Sequence, residues 1–330
     1  MKIAFFETDK REMEFFRNEF KSFKPAFFKE PLDNSNYKKV SDFDIISVET
    51  GSVVDKKIVG NMKNLVMIAA RCTGFDKIDL EECKKKKIIV SNVPAYSEHS
   101  VAEHAFALLL SISRNITKAY NRVHKNNFSI EGLEGFDLSG KTIGVIGTGH
   151  IGSHVIRMAK GFEMNVIAFN KSRNKEIERK LGFRYVSLDE LLKKSDVITI
   201  HLPLTKETKH MINASSINKM KRGVVIINTA RGGIIDTGAL VRALNSGKIA
   251  GVGLDVLEGE ELMKYKTGHK KLDVKSFRQL AMDHKLLNKE NVVFTPHIAF
   301  SSKESAHNLL LATTSNIRAF LKNKPENFVC

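Results

Sequence analysis

Lys141–Gly152 reads KTIGVIGTGHIG, and the fold follows from how this stretch is read. Thr142, Ile143, Val145 and Ile146 make a short β-branched run, the composition of a strand buried on both faces. The run leads into Gly147-Thr148-Gly149-His150-Ile151-Gly152, a GxGxxG, and then into Ser153–Phe162, where apolar residues recur at helical spacing. Strand, glycine turn and helix in that order form the context in which the motif cradles a dinucleotide. Gly147 permits the tight turn, Gly149 lets backbone approach a pyrophosphate, and Gly152 lets the helix pack closely on the strand. The first N–H groups of the helix, with their partial positive charge, face the anion. A plain glycine-rich turn is the bland alternative, and the two flanks weigh against it.

Downstream the alternation continues. Strands are expected at Asn165–Phe169, Tyr185–Val186 (weakly), Asp196–His201, Gly223–Asn228, Ile249–Asp255 and Asn291–Phe294. Helices at about 174–181, 188–194, 213–220 and 236–246 fall between them. This is an α/β class fold: a Rossmann-like, doubly wound parallel sheet with the glycine strand first. At the end of the second strand, NVIAFNKSRNK puts Asn170 where an acidic residue usually meets the ribose 2′-hydroxyl of NAD. Lys171, Ser172 and Arg173, next in the chain, suit a 2′-phosphate, so NADP(H) stands open beside NAD(H).

Upstream, residues 1–95 show apolar runs at Lys2–Phe6, Asp44–Val48, Leu65–Ala70 and Ile88–Val90, with polar, helix-like intervals. They predict a second, smaller parallel sheet with crossover helices. LVMIAARCTGFDKID (65–79) is a strand ending in a Thr73-Gly74 turn, a candidate substrate contact because ligands of open α/β sheets sit beyond strand carboxyl ends. In the stretch that follows, Pro94 breaks the chain, and Ser97 or Ser100 can cap a helix, Glu103 completing a capping box with Ser100. That helix is expected to run to about Lys125 and, apolar on more than one face, to be buried within its domain or between subunits. Glu98, His99, Glu103 and His104 read as cap and surface groups, since no HExxH-type spacing accompanies them. Residues 126–140 read as a loop, and a last helix at about 303–322 is expected to return to the first sheet.

The 330 residues suffice for two cores, and 42% hydrophobic with 27% charged residues is the balance of a soluble globular protein. MKIAFFETDK lacks the pattern of a signal peptide, and the apolar stretch near Ala105–Leu110 is far too short to span a bilayer, so a cytoplasmic protein without membrane contact is expected. Cys72, Cys83 and Cys330 form no CxxC pair; reduced thiols and no metal are expected. The net charge of +16 is spread through the chain apart from Lys84–Lys87, which closes a helix starting near Leu80 where cations complement the dipole. No basic-plus-aromatic pattern accompanies it, so no nucleic-acid partner is expected, and the charge serves to attract anionic substrate and cofactor.

Three polar residues stand just past strands of the second sheet: Arg231 after VVIINTA, Glu260 after GVGLDVLEG and His297 after VVFTP. An arginine fork holds a carboxylate in two hydrogen bonds. A histidine gives a proton to a carbonyl oxygen as hydride reaches the carbon. A neighbouring glutamate orients the imidazole and favours its charged form. Each residue alone has a bland account; after three apolar strands, jointly, they read as a site.

RCTGFDKID, NVPAYSEHSVAEHAFALLL, GVIGTGHIG, SDVITIHLPLTKET, INTARGGIIDTGAL, GLDVLEGE and TPHIAF, in that order, resemble the signatures of the D-isomer-specific 2-hydroxyacid dehydrogenases over essentially the whole chain. The resemblance implies a flavodoxin-like substrate domain built from 1–98 and 298–330, and a dinucleotide domain at 99–297. It implies Arg231 on the substrate carboxylate, His297 as acid/base and Glu260 as its partner. His150, Ile151, His201, Leu202, Pro203, Thr208, Thr229, Ala230 and Asp255 match positions lining the dinucleotide, and Thr73-Gly74 matches the turn that meets the substrate. It also implies a homodimer through the 100–125 helix. Excluding water between the domains would strengthen these polar contacts, so a hinge closure near 97–100 and 297–300 is expected.

Within that family the chain looks most like the D-lactate dehydrogenase branch. His297 lies 37 positions after Glu260, with Lys264–Asn288 rich in charge, and Phe300 with Tyr96 would wall a small apolar pocket around a methyl group. Glu49, Thr50 and Gly51 stand where an aromatic is common in that branch, which keeps glyoxylate or hydroxypyruvate reduction in view. A dinucleotide-sensing regulator without turnover is the alternative of another class. The complete Arg231, Glu260 and His297 set argues against it.

Overall fold

Every strand pairing within the two sheets of this computed structural model is parallel. The structure describes residues 1–260, 262 and 273–330, so residues 264–272 of the charged segment lie outside it. The chain divides into one unit of Met1–Ser97 with Ser301–Cys330 and another of Glu98–Phe300.

In the first unit β1 (Ile3–Phe5), β2 (Ala26–Phe27), β3 (Ile45–Val48), β4 (Met67–Ala70) and β5 (Ile89–Ser91) form a sheet in the order β2-β1-β3-β4-β5. This is the flavodoxin-like order. β2 is a strand that the apolar pattern did not mark, because two residues are too few to show an alternation. Asp9 and Glu12 close a capping box on the helix Lys10–Glu19, whose Phe16 stacks on Phe5 at 4.3 Å. The helix Lys303–Leu321 buries Leu310 and Ile317 with Ile3, Phe5, Ile45 and Met67, which is why the chain's last thirty residues join this unit.

In the second unit β6 (Thr142–Ile146), β7 (Asn165–Phe169), β8 (Arg184–Tyr185), β9 (Val197–Ile200), β10 (Val224–Asn228), β11 (Ile249–Leu254) and β12 (Val292–Phe294) take the order β12-β11-β10-β9-β6-β7-β8. Chain order reverses between β6 and β9, the switch point at which doubly wound sheets hold ligands. Among the described residues no helix is long and apolar enough to cross a membrane, and no group of three His, Cys, Asp or Glu is placed to hold a metal ion.

The long helix expected up to Lys125 is two helices, Glu98–Ser113 and Ile116–Val123. Continuing it would require the Ser113 carbonyl to accept from residue 117, yet that carbonyl takes the Phe136 amide at 2.9 Å. Asn115 turns left-handed (φ 51°), and its side-chain amide donates to the carbonyls of Leu133 and Glu134. The helix begins at Glu98, so Ser100 and Glu103 lie inside it and the expected capping box is not formed. The first of these helices packs across β11, where a Cβ on Gly253 would come within 2.8 Å of both Leu108 Cβ and Ile227 Cδ1.

Gly253→Ala is expected to lower stability by roughly 1–3 kcal/mol through overpacking. Urea denaturation should show an earlier midpoint at an unchanged slope; an unchanged midpoint would contradict this close packing.

Candidate active site

At the switch point, Gly147 donates its amide to Phe169 O at 2.8 Å and His201 donates to Ile146 O at 2.7 Å. Gly147 has φ 98°, and a Cβ there would lie 2.4 Å from His201 O; a Cβ on Gly152 would lie 2.0 Å from Gly147 O. Gly149, by contrast, faces open space. The helix starts at His150, three residues before the expected Ser153, and runs to Gly161. Its N-cap is Gly149, which supplies no side-chain cap, so the first-turn N–H groups are left for an anion.

The other residues expected around the dinucleotide hold varied partners. Asn170 Nδ2 donates to Ser172 O at 2.6 Å, while Lys171 and Arg173 are exposed. Thr208 Oγ1 donates to Pro203 O at 2.7 Å, tying the loop that begins at Leu202. Thr229 Oγ1 is buried without a protein partner, beside Ala230, whose amide donates to Asn228 Oδ1. His201 is partly exposed as a residue, yet desolvation of its ring brings its pKa down to about 3; a neutral imidazole shares a 2.8 Å hydrogen bond with Thr199 Oγ1. Glu98 is not the surface group the sequence implied. Its side chain is only 17% exposed and faces His150 Nδ1 at 3.0 Å and His154 Nε2 at 3.6 Å, with the His99 ring tilted against that of His154 at 3.8 Å.

His297 and Glu260, far apart in sequence, meet: His297 Nδ1 lies 2.9 Å from Glu260 Oε1, each side chain 21% exposed. His297 adopts φ 58°, an uncommon conformation for an L-residue. Phe300 stands edge-on to its ring at 6.3 Å. Arg231 follows β10; its Nη1 donates to Ala230 O at 2.8 Å and its carbonyl accepts from Asn228 Nδ2 at 3.0 Å. Asp255 is fully buried, and its carboxylate accepts from Thr295 Oγ1 (2.6 Å), Ile298 N (2.9 Å) and Ala299 N (2.9 Å). His104 corrects the surface reading as well: its Nε2 lies 2.8 Å from Thr295 Oγ1 and 3.5 Å from Asp255 Oδ1. The signal was present in the helix period, for His104 falls on the buried stripe of Val101, Ala105 and Leu108.

Thr73, Gly74 and Tyr96 belong to the first unit. Thr73 Oγ1 donates to Val93 O at 3.0 Å, and Asn92 Nδ2 donates to Thr73 O at 2.8 Å. At the end of β3, the carboxylate of Glu7 gathers the amides of Glu49, Gly51 and Ser52. Burial pushes the Glu49 carboxyl itself up to about 7, against the pull of Arg71.

Residues 106–299 match the sequence profile described as D-isomer specific 2-hydroxyacid dehydrogenase, NAD binding domain. The D-lactate dehydrogenase of Aquifex aeolicus, solved in complex with NAD and lactic acid, is similar with a TM-score of 0.90 and 38% identity, over 99% of this chain and 98% of that one. The D-lactate dehydrogenase of Escherichia coli is 36% identical over 322 residues, 96% of either chain. The glyoxylate reductase of Thermococcus litoralis is 36% identical over 300 residues, 88% of this chain and 85% of its own.

Under the turn that carries Glu260 lies a buried acid, Asp283. A Cβ on Gly259 would come within 2.2 Å of its Oδ2, and Gln279 Nε2 donates to its Oδ1 at 3.0 Å. Burial, with a smaller push from Glu258, raises its pKa to about 6. Because the folded value lies above the unfolded one, this group favours folding below about pH 4, and that contribution is lost as pH rises through 6. Asp283→Asn is expected to be the more stable form at neutral pH, by on the order of 2 kcal/mol. Its advantage should grow between pH 4 and 6 in thermal melts; a margin independent of pH would refute the buried titration.

Proposed function

The chain belongs to the D-isomer-specific 2-hydroxyacid dehydrogenases, and from that premise we propose that it reduces a short 2-oxo acid, pyruvate foremost, to the D-2-hydroxy acid using a nicotinamide dinucleotide. The observation that carries the reading is the His297–Glu260 pair at 2.9 Å, which stands in the same unit as the glycine cradle.

The cradle fits a dinucleotide on its own geometry. Gly147 and Gly152 have no room for a side chain, Gly149 faces open space, and the uncapped helix start at His150 and Ile151 offers N–H groups to a pyrophosphate. We assign Asn170, Lys171 and Arg173 to the adenosine ribose, and His201, Leu202, Pro203, Thr208, Thr229, Ala230 and Asp255 to the remainder of the cofactor. When bound, the reduced dinucleotide supplies the hydride.

Arg231 holds the substrate carboxylate with two parallel hydrogen bonds, which fixes the face presented by the carbonyl and hence one enantiomer of product. His297 has Nδ1 committed to Glu260, so Nε2 is the nitrogen that gives its proton to the carbonyl oxygen. Glu260, 2.9 Å from Nδ1, holds the ring in the orientation that this step needs. Thr73, Gly74, Tyr96 and Phe300 are assigned to the substrate.

A second reading, reduction of glyoxylate or hydroxypyruvate, is favoured by Glu49: a half-buried carboxyl near neutrality at the end of β3 is an unusual companion for a methyl group. Homodimerisation fits the exposed Ile116, Tyr120, Val123, Phe128 and Ile130, an apolar set large for a free surface. Sedimentation is expected to give about twice the chain mass of 37.1 kDa, and a monomer at micromolar concentration would argue against it.

Initial rates with pyruvate, glyoxylate and hydroxypyruvate, each with NADH and with NADPH, test the substrate and cofactor together. Fast pyruvate reduction supports the lactate reading, and a pyruvate rate far below the other two moves the assignment to them. His297→Ala is expected to lose about a hundredfold or more in kcat, the scale of general acid catalysis; near-normal turnover would remove His297 from that role.

A further inference from the structure

The backbone at His297 is left-handed, and a residue so held stays there only where its surroundings over-determine it. Those surroundings can be read bond by bond. Thr295 N donates to Leu254 O at 2.9 Å, and His297 N to Thr295 O at 2.9 Å. Beyond His297, the amides of Ile298 and Ala299 both end on the Asp255 carboxylate. The loop is therefore pinned on either side of the histidine, and Thr295 is one of its two anchors.

A threonine hydroxyl has one proton, and at 2.6 Å the Asp255 carboxylate accepts it. What remains on Thr295 Oγ1 is acceptor capacity, so in the 2.8 Å contact with His104 the imidazole is the donor. This fixes the proton of His104 on Nε2, whichever charge the ring carries. The same nitrogen stands 3.5 Å from Asp255 Oδ1, on the side of a carboxylate that no solvent reaches. His104 lies on the helix Glu98–Ser113, 191 positions before Thr295, in a side chain only 19% exposed.

We propose that His104 is a positioning residue for the reaction: by donating to Thr295 Oγ1 it holds the Thr295–Asp255 anchor, and through it the left-handed backbone that aims His297 at Glu260. The inference rests on the reading of His297 as the acid, and adds a residue that touches no reacting atom. Without the donor, Thr295 Oγ1 keeps only its bond to Asp255, that anchor of the loop loosens, and the His297–Glu260 pairing broadens. A displacement of about 1 Å at a reacting group lowers turnover by as much as a hundredfold.

The test compares His104→Leu, which keeps the bulk and loses the donor, with His104→Gln, which keeps an N–H near the position of Nε2. His104→Leu is expected to lower kcat by roughly tenfold to a hundredfold, with KM for the oxo acid changed by less than about threefold. His104→Gln is expected to recover most of kcat, and Thr295→Val should reproduce the leucine effect without adding to it in the double variant. The NMR signals of the His297 ring, assigned by their loss in His297→Gln, read the same positioning without turnover and should shift or broaden in His104→Leu and return to the parent pattern in His104→Gln. Unaltered ring signals and kcat in His104→Leu, or no recovery by glutamine, overturn the proposal. A protein inactive on every 2-oxo acid whose His297 ring signals still respond to His104 would sink the functional reading and leave the positioning intact.

Discussion

A single buried carboxylate holds the loop on which the proposed chemistry depends. Asp255 accepts two backbone amides and one hydroxyl, all from residues 295–299, and it follows β11 directly. Charge-assisted bonds contribute about 1.5–3 kcal/mol each, and leaving a buried charge without them is far more costly than the mean bond is favourable. The carboxylate therefore imposes a geometry as much as it stabilises one. Its backbone is held in turn by the sheet, since Asp255 N donates to Asn228 O at the end of β10. Three adjacent strand ends, β10, β11 and β12, are linked through this residue, and Arg231 and His297 are carried on two of them.

Strain and support sit side by side in both units. Glu7, after β1, has φ 55°; Ala95, beyond β5, has φ 64°; His297, beyond β12, has φ 58°. Each stands past the carboxyl end of a parallel strand, the edge at which such sheets bind ligands. Asn115 and Asn126, left-handed beside helix ends, are of the type that adopts this conformation most readily. The strand-end set includes a glutamate and an alanine beside a histidine, and other groups help to hold them there. For His297 the holding groups are Asp255, Thr295 and His104. Glu7 is held differently: its carboxylate wraps the 49–52 loop, and its carbonyl accepts from the buried Arg71.

How much of this was legible in the sequence depended on the range of the interaction. Parallel strands bury both faces, so β6, β9 and β10 announce themselves as β-branched runs; the glycines of 147–152 are local requirements of one turn. Arg231, Glu260 and His297 could be picked out as candidates because strand ends are local features, and a rule of topology says which edge they share. The break at Asn115 was not legible, since it depends on residues 133–136 arriving to take the Ser113 carbonyl. Nor was His104, whose partner is 191 residues away. The period of its helix marked it as inward-facing, but only the fold says what it faces. Glu98 escaped for the same reason, being covered by His150 and His154 from the helix that follows the glycine turn.

Two histidines stand past strands of the second sheet, and their environments argue for different work. His201, after β9, has a hydroxyl for a partner; desolvation takes its pKa to about 3, far below any pH at which it would carry a proton to a substrate. His297, after β12, has a carboxylate oxygen 2.9 Å from Nδ1, which fixes the orientation of its ring. A ring held by a carboxylate is placed to give and take a proton, whereas a desolvated neutral ring serves as a polar contact. What lies beside each ring therefore supports His297 rather than His201 as the proposed acid, without appeal to the order of either in the chain.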